Sequence, residues 1–288
     1  MKVKVTVDKI KQSCKPKKKD IWAISNRIAC KDNIIDLEIS KLATGLVLPY
    51  GFTWTPTIFK GNERKNEEWA SQQLFALDFD NGITLKEVIE RCSRYNVKPS
   101  FAYSTFSSEN NDKFRVIFVN DHIVDDYRVR TLIQLALMNL FPESDKACKD
   151  ASRMYYGGKE IIYNDYEAII NTLELVEGLV FYFSDKDKAH FSRNIKQFCT
   201  KTGVDMINGY PKIIKNEKVE IGESNTPSIR SNSKSTGLTK NHYTIYFNEK
   251  NIKESSIKVK KSKYPVSNEI VKRDKLIRKF NYDKRNGT

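Results

Sequence analysis

Two aspartates two positions apart, Asp78 and Asp80, close the apolar run LFALDFD in a chain whose formal charge is +14. On an extended strand, residues i and i+2 share a face and lie roughly 6.6 Å apart. That spacing lets both carboxylates reach divalent ions held about 3.5 to 4 Å from each other, as in two-metal phosphoryl transfer. A D-x-D also fits a solvated strand face, but acids beside a near-continuous apolar run are costly unless cations pair them. Further along, DKACKDASRMYYGG supplies a third acid, Asp145, with Asp150 as its competitor, and an arginine, Arg153. Arg115 lies inside the otherwise apolar FRVIFV, so it needs a phosphate or a buried partner such as Asp78 or Asp80. Lys113 and Ser107 near it are further donors for a triphosphate.

The elements that must position these groups can be read between residues 74 and 158. After the LFALDFD strand, TLKEVIERCSRY has Thr84 and Glu87 at capping-box spacing and a stripe of Leu85, Val88, Ile89 and Cys92, which predicts a helix. Pro99 stops it. SFAYSTF then reads as a strand, SSENNDK as a polar turn and FRVIFV as a second strand. DDYRVRTLIQLALMNLF predicts a mostly buried helix with Asp125 or Asp126 as N-cap, and SRMYYGG a last short strand. This βαββαβ order is α+β and ferredoxin-like, with helices on one face of the sheet and the other face free for a ligand. Alternation turns Phe75, Leu77 and Phe79 toward the helices. Asp78, Asp80, Ser104, Arg115 and Arg153 are expected together on the open face.

Around this core, Val3, Val5 and Val7 alternate with charged or polar residues and predict a strand at a sheet edge. KPKKKD interrupts the pattern, and IWAISNRIAC and KLATGLVLPY are apolar N-terminal packing elements of either type. The stretch from Pro49 to Gln73 mixes Trp54, Phe59 and Trp69 with Lys60, Arg64 and Lys65. Trp54, Lys60, Arg64 and Lys65 suit stacking and phosphate contact on single-stranded nucleic acid. The tryptophans equally fit a core beneath a solvated turn. Residues 176–211 form a helical appendage, the polar stretch 212–242 a flexible linker, and 243–288 a basic segment that opens on a possible strand, HYTIYF.

The excess of 50 Lys and Arg over 36 Asp and Glu favours polyanionic partners. Cys14, Cys30, Cys92, Cys148 and Cys199 are odd in number and never form a CxxC pair, which argues for a reducing compartment and against structural zinc. The N-terminus lacks a signal-peptide pattern and no run reaches membrane-spanning length, so a soluble, cytoplasmic protein is expected.

ALDFD, then STFSS with KFRVIF, then D-x7-R-x3-GG, resemble the three-motif catalytic core of the archaeo-eukaryotic primase superfamily. The likeness is to its primase-polymerase domains from plasmids, phages and integrated elements in particular. It covers roughly residues 20–175, within an expected domain 1–175. It implies an RRM-like catalytic sheet, two Mg or Mn ions, and polymerisation of NTPs or dNTPs on a single-stranded DNA template, with a helicase in cis or in trans. Carried onto this sequence, Asp78, Asp80 and Asp145 match the metal ligands, while Ser104, Ser107, Lys113, Arg115 and Arg153 fall to the nucleotide. The family's second motif places a histidine after a serine; here Ser108 or Arg115 stands in that region. Two other readings use the same residues: a non-catalytic, RRM-like nucleic-acid-binding replication initiator, and a metal-dependent nuclease.

Overall fold

Valines at every second position bury one face of β1 (Lys2–Val7), while Lys2 and Lys4 stay exposed. The computed structural model describes residues 1–216 and 243–248. The two apolar N-terminal segments are helical. In α1 (Ile21–Ile28), Ile24 and Ile28 are buried at i, i+4 spacing. β2 (Ile34–Glu38) then leads into α2 (Ile39–Leu46), which buries Ile39, Leu42, Ala43 and Leu46. β3 (Trp54–Thr55) completes a sheet of order β2-β1-β3, so β1 is its central strand and not an edge. The alternation that predicts β1 says nothing about how many neighbours it has.

The second sheet is built from β4 (Thr57–Phe59), β5 (Trp69–Phe79), β6 (Phe101–Thr105), β7 (Phe114–Val124) and β8 (Gly158–Asn164). Between β5 and β6 runs α3 (Leu85–Arg94), whose Thr84–Glu87 capping box forms in both directions. Between β7 and β8 runs α4 (Tyr127–Leu140), capped by Asp126 and largely buried. The fold is α+β with the expected βαββαβ order. Its strands lie in the order β4-β5-β7-β6-β8, antiparallel throughout. β5 and β6 flank β7 as a split βαβ requires, but the last strand pairs with β6 on the far edge, and β4 takes the place beside β5.

That last strand also starts later than SRMYYGG suggests. Tyr155 exchanges both backbone hydrogen bonds with Trp54, at 2.7 and 2.8 Å, in an isolated bridge, and regular pairing begins only at Gly158. The two glycines exist for close approach. A Cβ on Gly157 would lie 2.5 Å from the Leu46 carbonyl oxygen, and one on Gly158 only 2.0 Å from that of Ser104.

Both faces of the larger sheet are covered. Phe75, Leu77, Phe79, Ala102, Val116 and Phe118 pack with Val88 and Cys92 of α3 and Leu132, Ile133 and Ala136 of α4. The same core takes in α5 (Thr172–Lys186) and α6 (Phe191–Thr202), which are thus part of it and not appended to it. On the opposite face Leu74, Ala76, Phe101, Tyr103, Ile117 and Val119 pack against Val3, Val5 and Val7 and the buried side of α2. The face expected to be open is therefore closed along most of its length. The near-continuous apolar character of β5 and β7 has this cause, since a strand buried on both sides needs apolar residues at both parities. Each fully buried Val, Leu, Ile or Phe among these contributes roughly 1.5 to 3 kcal/mol.

Beyond α6, β9 (Met206–Ile207) pairs with β10 (Tyr210–Pro211), and β11 (Ile213–Lys215) with β12 (Tyr243–Ile245), whose Tyr243 and Ile245 join the helix-side core. The start of the expected linker is thus a strand. Its residues 217–242, and residues 249–288 of the expected basic segment, lie outside the described residues. No helix among the described residues is long and apolar enough to cross a membrane.

Candidate active site

Asp78 lies near the C-terminal end of β5, and the register of three strands puts Arg115 of β7 opposite it and Tyr103 of β6 opposite Arg115. The three side chains form a polar row at one end of the face that otherwise packs on the N-terminal sheet. Ser104, expected in this row, pairs instead with Phe114 and so faces the helix layer, where its hydroxyl is buried without a hydrogen-bond partner. The strand FAYST is buried on both faces, so its composition does not mark which parity looks toward the acids.

The row is tightly bonded. Arg115 donates from Nε to Asp78 Oδ1, and from Nη1 to the Tyr103 hydroxyl at 2.6 Å and the Tyr156 carbonyl at 2.5 Å. Its guanidinium lies over the Tyr155 ring, 4.5 Å from the centroid. Tyr103 in turn receives the Trp54 indole N–H at 2.9 Å and donates to Tyr156 O at 3.0 Å. Trp54, expected as a stacking surface for nucleic acid, is thereby a fully buried brace behind the site.

Asp145 is delivered by the turn after α4. Its backbone N–H donates to the Asp78 carbonyl at 2.9 Å, and its Oδ1 caps the following turn by accepting from Ala147 N. Its other oxygen, Oδ2, meets Arg153 Nη2 at 2.7 Å, and the same nitrogen is 2.7 Å from Asp78 Oδ2. One guanidinium nitrogen therefore bridges two carboxylates. Asp80, just past the end of β5, is exposed and forms no ion pair among the described residues. Asp150, the competing third acid, is used to turn the chain, accepting from Ser152 N and Oγ.

These groups line a cavity of about 220 Å³, with Asp78, Asp80 and Asp145 set against Arg115, Arg153 and Lys15, and with Thr105 and Ser107 on its wall. Burial works against the charges of Arg115 and Arg153, yet Asp78 outweighs it and both arginines are held above their ordinary pKa. Burial would likewise raise Asp145, but the Ala147 amide and Arg153 outweigh it and hold it below the usual carboxylate range. Burial pushes the Tyr103 and Tyr155 phenols up, and the Cys148 thiol, which accepts from Asp78 N, to about 11. All three stay neutral near pH 7.

Among the described residues, no group of three or more His, Cys, Asp or Glu is drawn together as a metal cage. Guanidinium nitrogens occupy both oxygens of Asp78. The oxygens of Asp78 and Asp145 nevertheless converge on a single positive point, and carboxylate oxygens suit a hard divalent cation once Arg153 turns aside.

The remaining expected residues lie elsewhere. Lys113 is outside the cavity wall, and Ser108 is buried against Asp112 Oδ1 in the preceding turn. Arg64 spans from Ser25 Oγ to the Ser152 carbonyl and is a structural brace. Lys65 pairs with Glu63, and Lys60 borders a separate depression beside Trp69, Asp125 and Asp126. Lys15, Tyr103, Thr105 and Tyr155 join the site without having been expected there. Tyr103 and Thr105 have a signal, standing at period two in SFAYSTF, whereas Lys15 lies in an irregular run with none.

No family model and no curated protein matches this chain. Among solved structures it is similar to the AEP domain of the cyanophage S-2L primase-polymerase, at 14% identity and a TM-score of 0.37, over 62% of this chain and 88% of that one. A likeness of that size carries no function from one chain to the other.

Proposed function

We propose that this chain is a metal-dependent nucleotidyltransferase of the primase-polymerase kind, making primers on a single-stranded DNA template during replication of a mobile element. The observation that carries the reading is the meeting of Asp78, Asp80 and Asp145, from two distant segments, in one cavity with Arg115 and Arg153. The D-x-D and D-x7-R-x3-GG motifs single out all of these but Arg115, which comes from FRVIFV.

In this reading Asp78, Asp80 and Asp145 would hold Mg or Mn, which would supply Lewis-acid activation of the attacking hydroxyl and neutralise the departing pyrophosphate. Asp80 is the cavity carboxylate that forms no ion pair among the described residues. Arg153, released from its bridge between Asp78 and Asp145, has the reach and the fork of donors to take phosphate oxygens of an incoming NTP or dNTP. Arg115 is fixed by Asp78, Tyr103 and Tyr156, and keeps a permanent positive charge at the cavity floor. Ser107 and Thr105 add hydroxyl donors at the wall. The reading brings with it a helicase in cis or in trans and a reducing, cytoplasmic setting, the latter in keeping with five free cysteines.

A second reading has one observation in its favour. Asp78 is saturated by two arginines, the internal pairing that a non-catalytic nucleic-acid-binding module would need in order to carry acids on this sheet. Incubation of the purified chain with Mg or Mn, a single-stranded template and labelled nucleotides separates the two. Chelator-sensitive oligonucleotide synthesis is the result expected, and template binding with no synthesis under either ion would replace it with the binding module.

A further inference from the structure

Trp22 is the most exposed large apolar side chain among the described residues, at 76%. It sits in the first turn of α1, a helix anchored through its buried Ile24 and Ile28. Immediately before it, KPKKKD presents Lys15, Lys17, Lys18 and Lys19, all exposed and none of them in an ion pair among the described residues. Like charges placed side by side without counter-ions repel one another, and a polyanion relieves that repulsion.

The place of this cluster ties it to the cavity. Lys15 is part of the cavity wall with Asp78, Asp80 and Asp145. Ser25, three residues after Trp22 and so on the same side of the helix, accepts from Arg64 Nε at 2.8 Å. Arg64 also donates to the Ser152 carbonyl, next to Arg153. The side of α1 that carries the indole is thus fastened to the segment that carries the site's bridging arginine.

A flat aromatic face beside a row of unpaired cations matches what a single nucleic-acid strand offers, an unpaired base to stack and phosphates to neutralise. A duplex keeps its base faces hidden. A protein partner calls for a contiguous apolar patch, and Trp22 stands among lysines.

We propose that Trp22 with Lys15, Lys17, Lys18 and Lys19 forms a landing track for single-stranded nucleic acid that leads into the carboxylate cavity. For the strand's destination, though not for its capture, the proposal rests on the function given above. The test is a fluorescence titration of the full chain with a single-stranded oligodeoxythymidylate, without nucleotides or metal. Trp54 and Trp69 are buried, at 0% and 4%, so quenching by the strand reports Trp22. Binding should quench the emission, and Trp22→Ala, followed by the anisotropy of an end-labelled strand, should bind roughly tenfold more weakly. Replacing the four lysines by alanine should flatten the dependence of log affinity on log salt by about 0.7 for each phosphate left without its lysine. Binding without quenching, unchanged affinity in Trp22→Ala, or equal affinity for a duplex would overturn the track. Trp22-dependent binding in a protein that synthesises nothing would leave the track in place and remove only the polymerase reading.

Discussion

Arg115 stands opposite Asp78 in the register of β7 against β5, and its Nε donates to the Asp78 carboxylate. Both side chains are nearly inaccessible, at 7% and 9%. Asp78 is therefore as much a structural anchor as a candidate ligand. Removing one partner of a buried pair typically costs about 3 to 5 kcal/mol, because the other charge is left without compensation. Asp78→Asn should lower the unfolding free energy by about 3 kcal/mol, and Asp80→Asn by less than about 0.5 kcal/mol. Urea unfolding followed by circular dichroism checks both, and equal, small losses would contradict the pairing.

Arg153 holds Asp78 and Asp145 through a single nitrogen, at 2.7 Å from each. A divalent cation and this guanidinium compete for the same oxygens. Arg153→Gln should bind Mn several times more tightly than the wild type, read from the loss of the free-ion paramagnetic resonance signal. Adding Asp145→Asn should abolish the gain. Identical Mn titrations in the wild type and Arg153→Gln would show that the bridge and the cation do not share a place.

Burial pushes the Cys92 thiol up to about 12 and those of Cys148 and Cys199 to about 11. The unfolded chain releases these protons near the ordinary thiol value of about 8.5. Because the folded pKa values are raised, the thiols' contribution is fully present below that pH and declines as pH rises toward 11 or 12. The melting temperature should hold steady to about pH 8 and fall beyond about pH 9. In parallel, a thiol reagent should label exposed Cys14 in the native protein and reach Cys92, Cys148 and Cys199 only on unfolding.

Gly158 lets the chain pass against the end of β6, where an added Cβ would sit 2.0 Å from a backbone oxygen. Gly158→Ala should destabilise by about 1 to 3 kcal/mol, since backbone and not a pliable side chain must move. Thermal unfolding of this variant beside Gly45→Ala, whose Cβ would meet only the Phe52 ring at 3.4 Å, separates the close approach from the general effect of losing a glycine.

The helix-side half of the fold is legible in the sequence because its signals are local. The Thr84–Glu87 capping box, the Val88–Cys92 stripe and the Asp126 cap are each contained in one segment. The cover on the opposite face is not, since β1 meets β2 and β3 across gaps that no periodicity records. Ser104 stands one position from the residue that counts, Tyr103, and a strand buried on both sides hides its parity. Among the site residues, Asp78, Asp80, Asp145, Arg115 and Arg153 can be found from charges set in or beside apolar runs. Trp54 cannot be placed that way, since an indole buried against Tyr103 and one exposed for stacking leave the same letter in the sequence.

The most direct test compares template-dependent nucleotide incorporation by the wild type, Asp80→Asn and Asp150→Asn, each first shown to keep its native circular dichroism. The account predicts synthesis by the wild type and by Asp150→Asn, whose carboxylate only turns the chain. It predicts a loss of about 100-fold or more in Asp80→Asn, the cavity acid without an ion pair among the described residues. Undiminished synthesis by Asp80→Asn would contradict it.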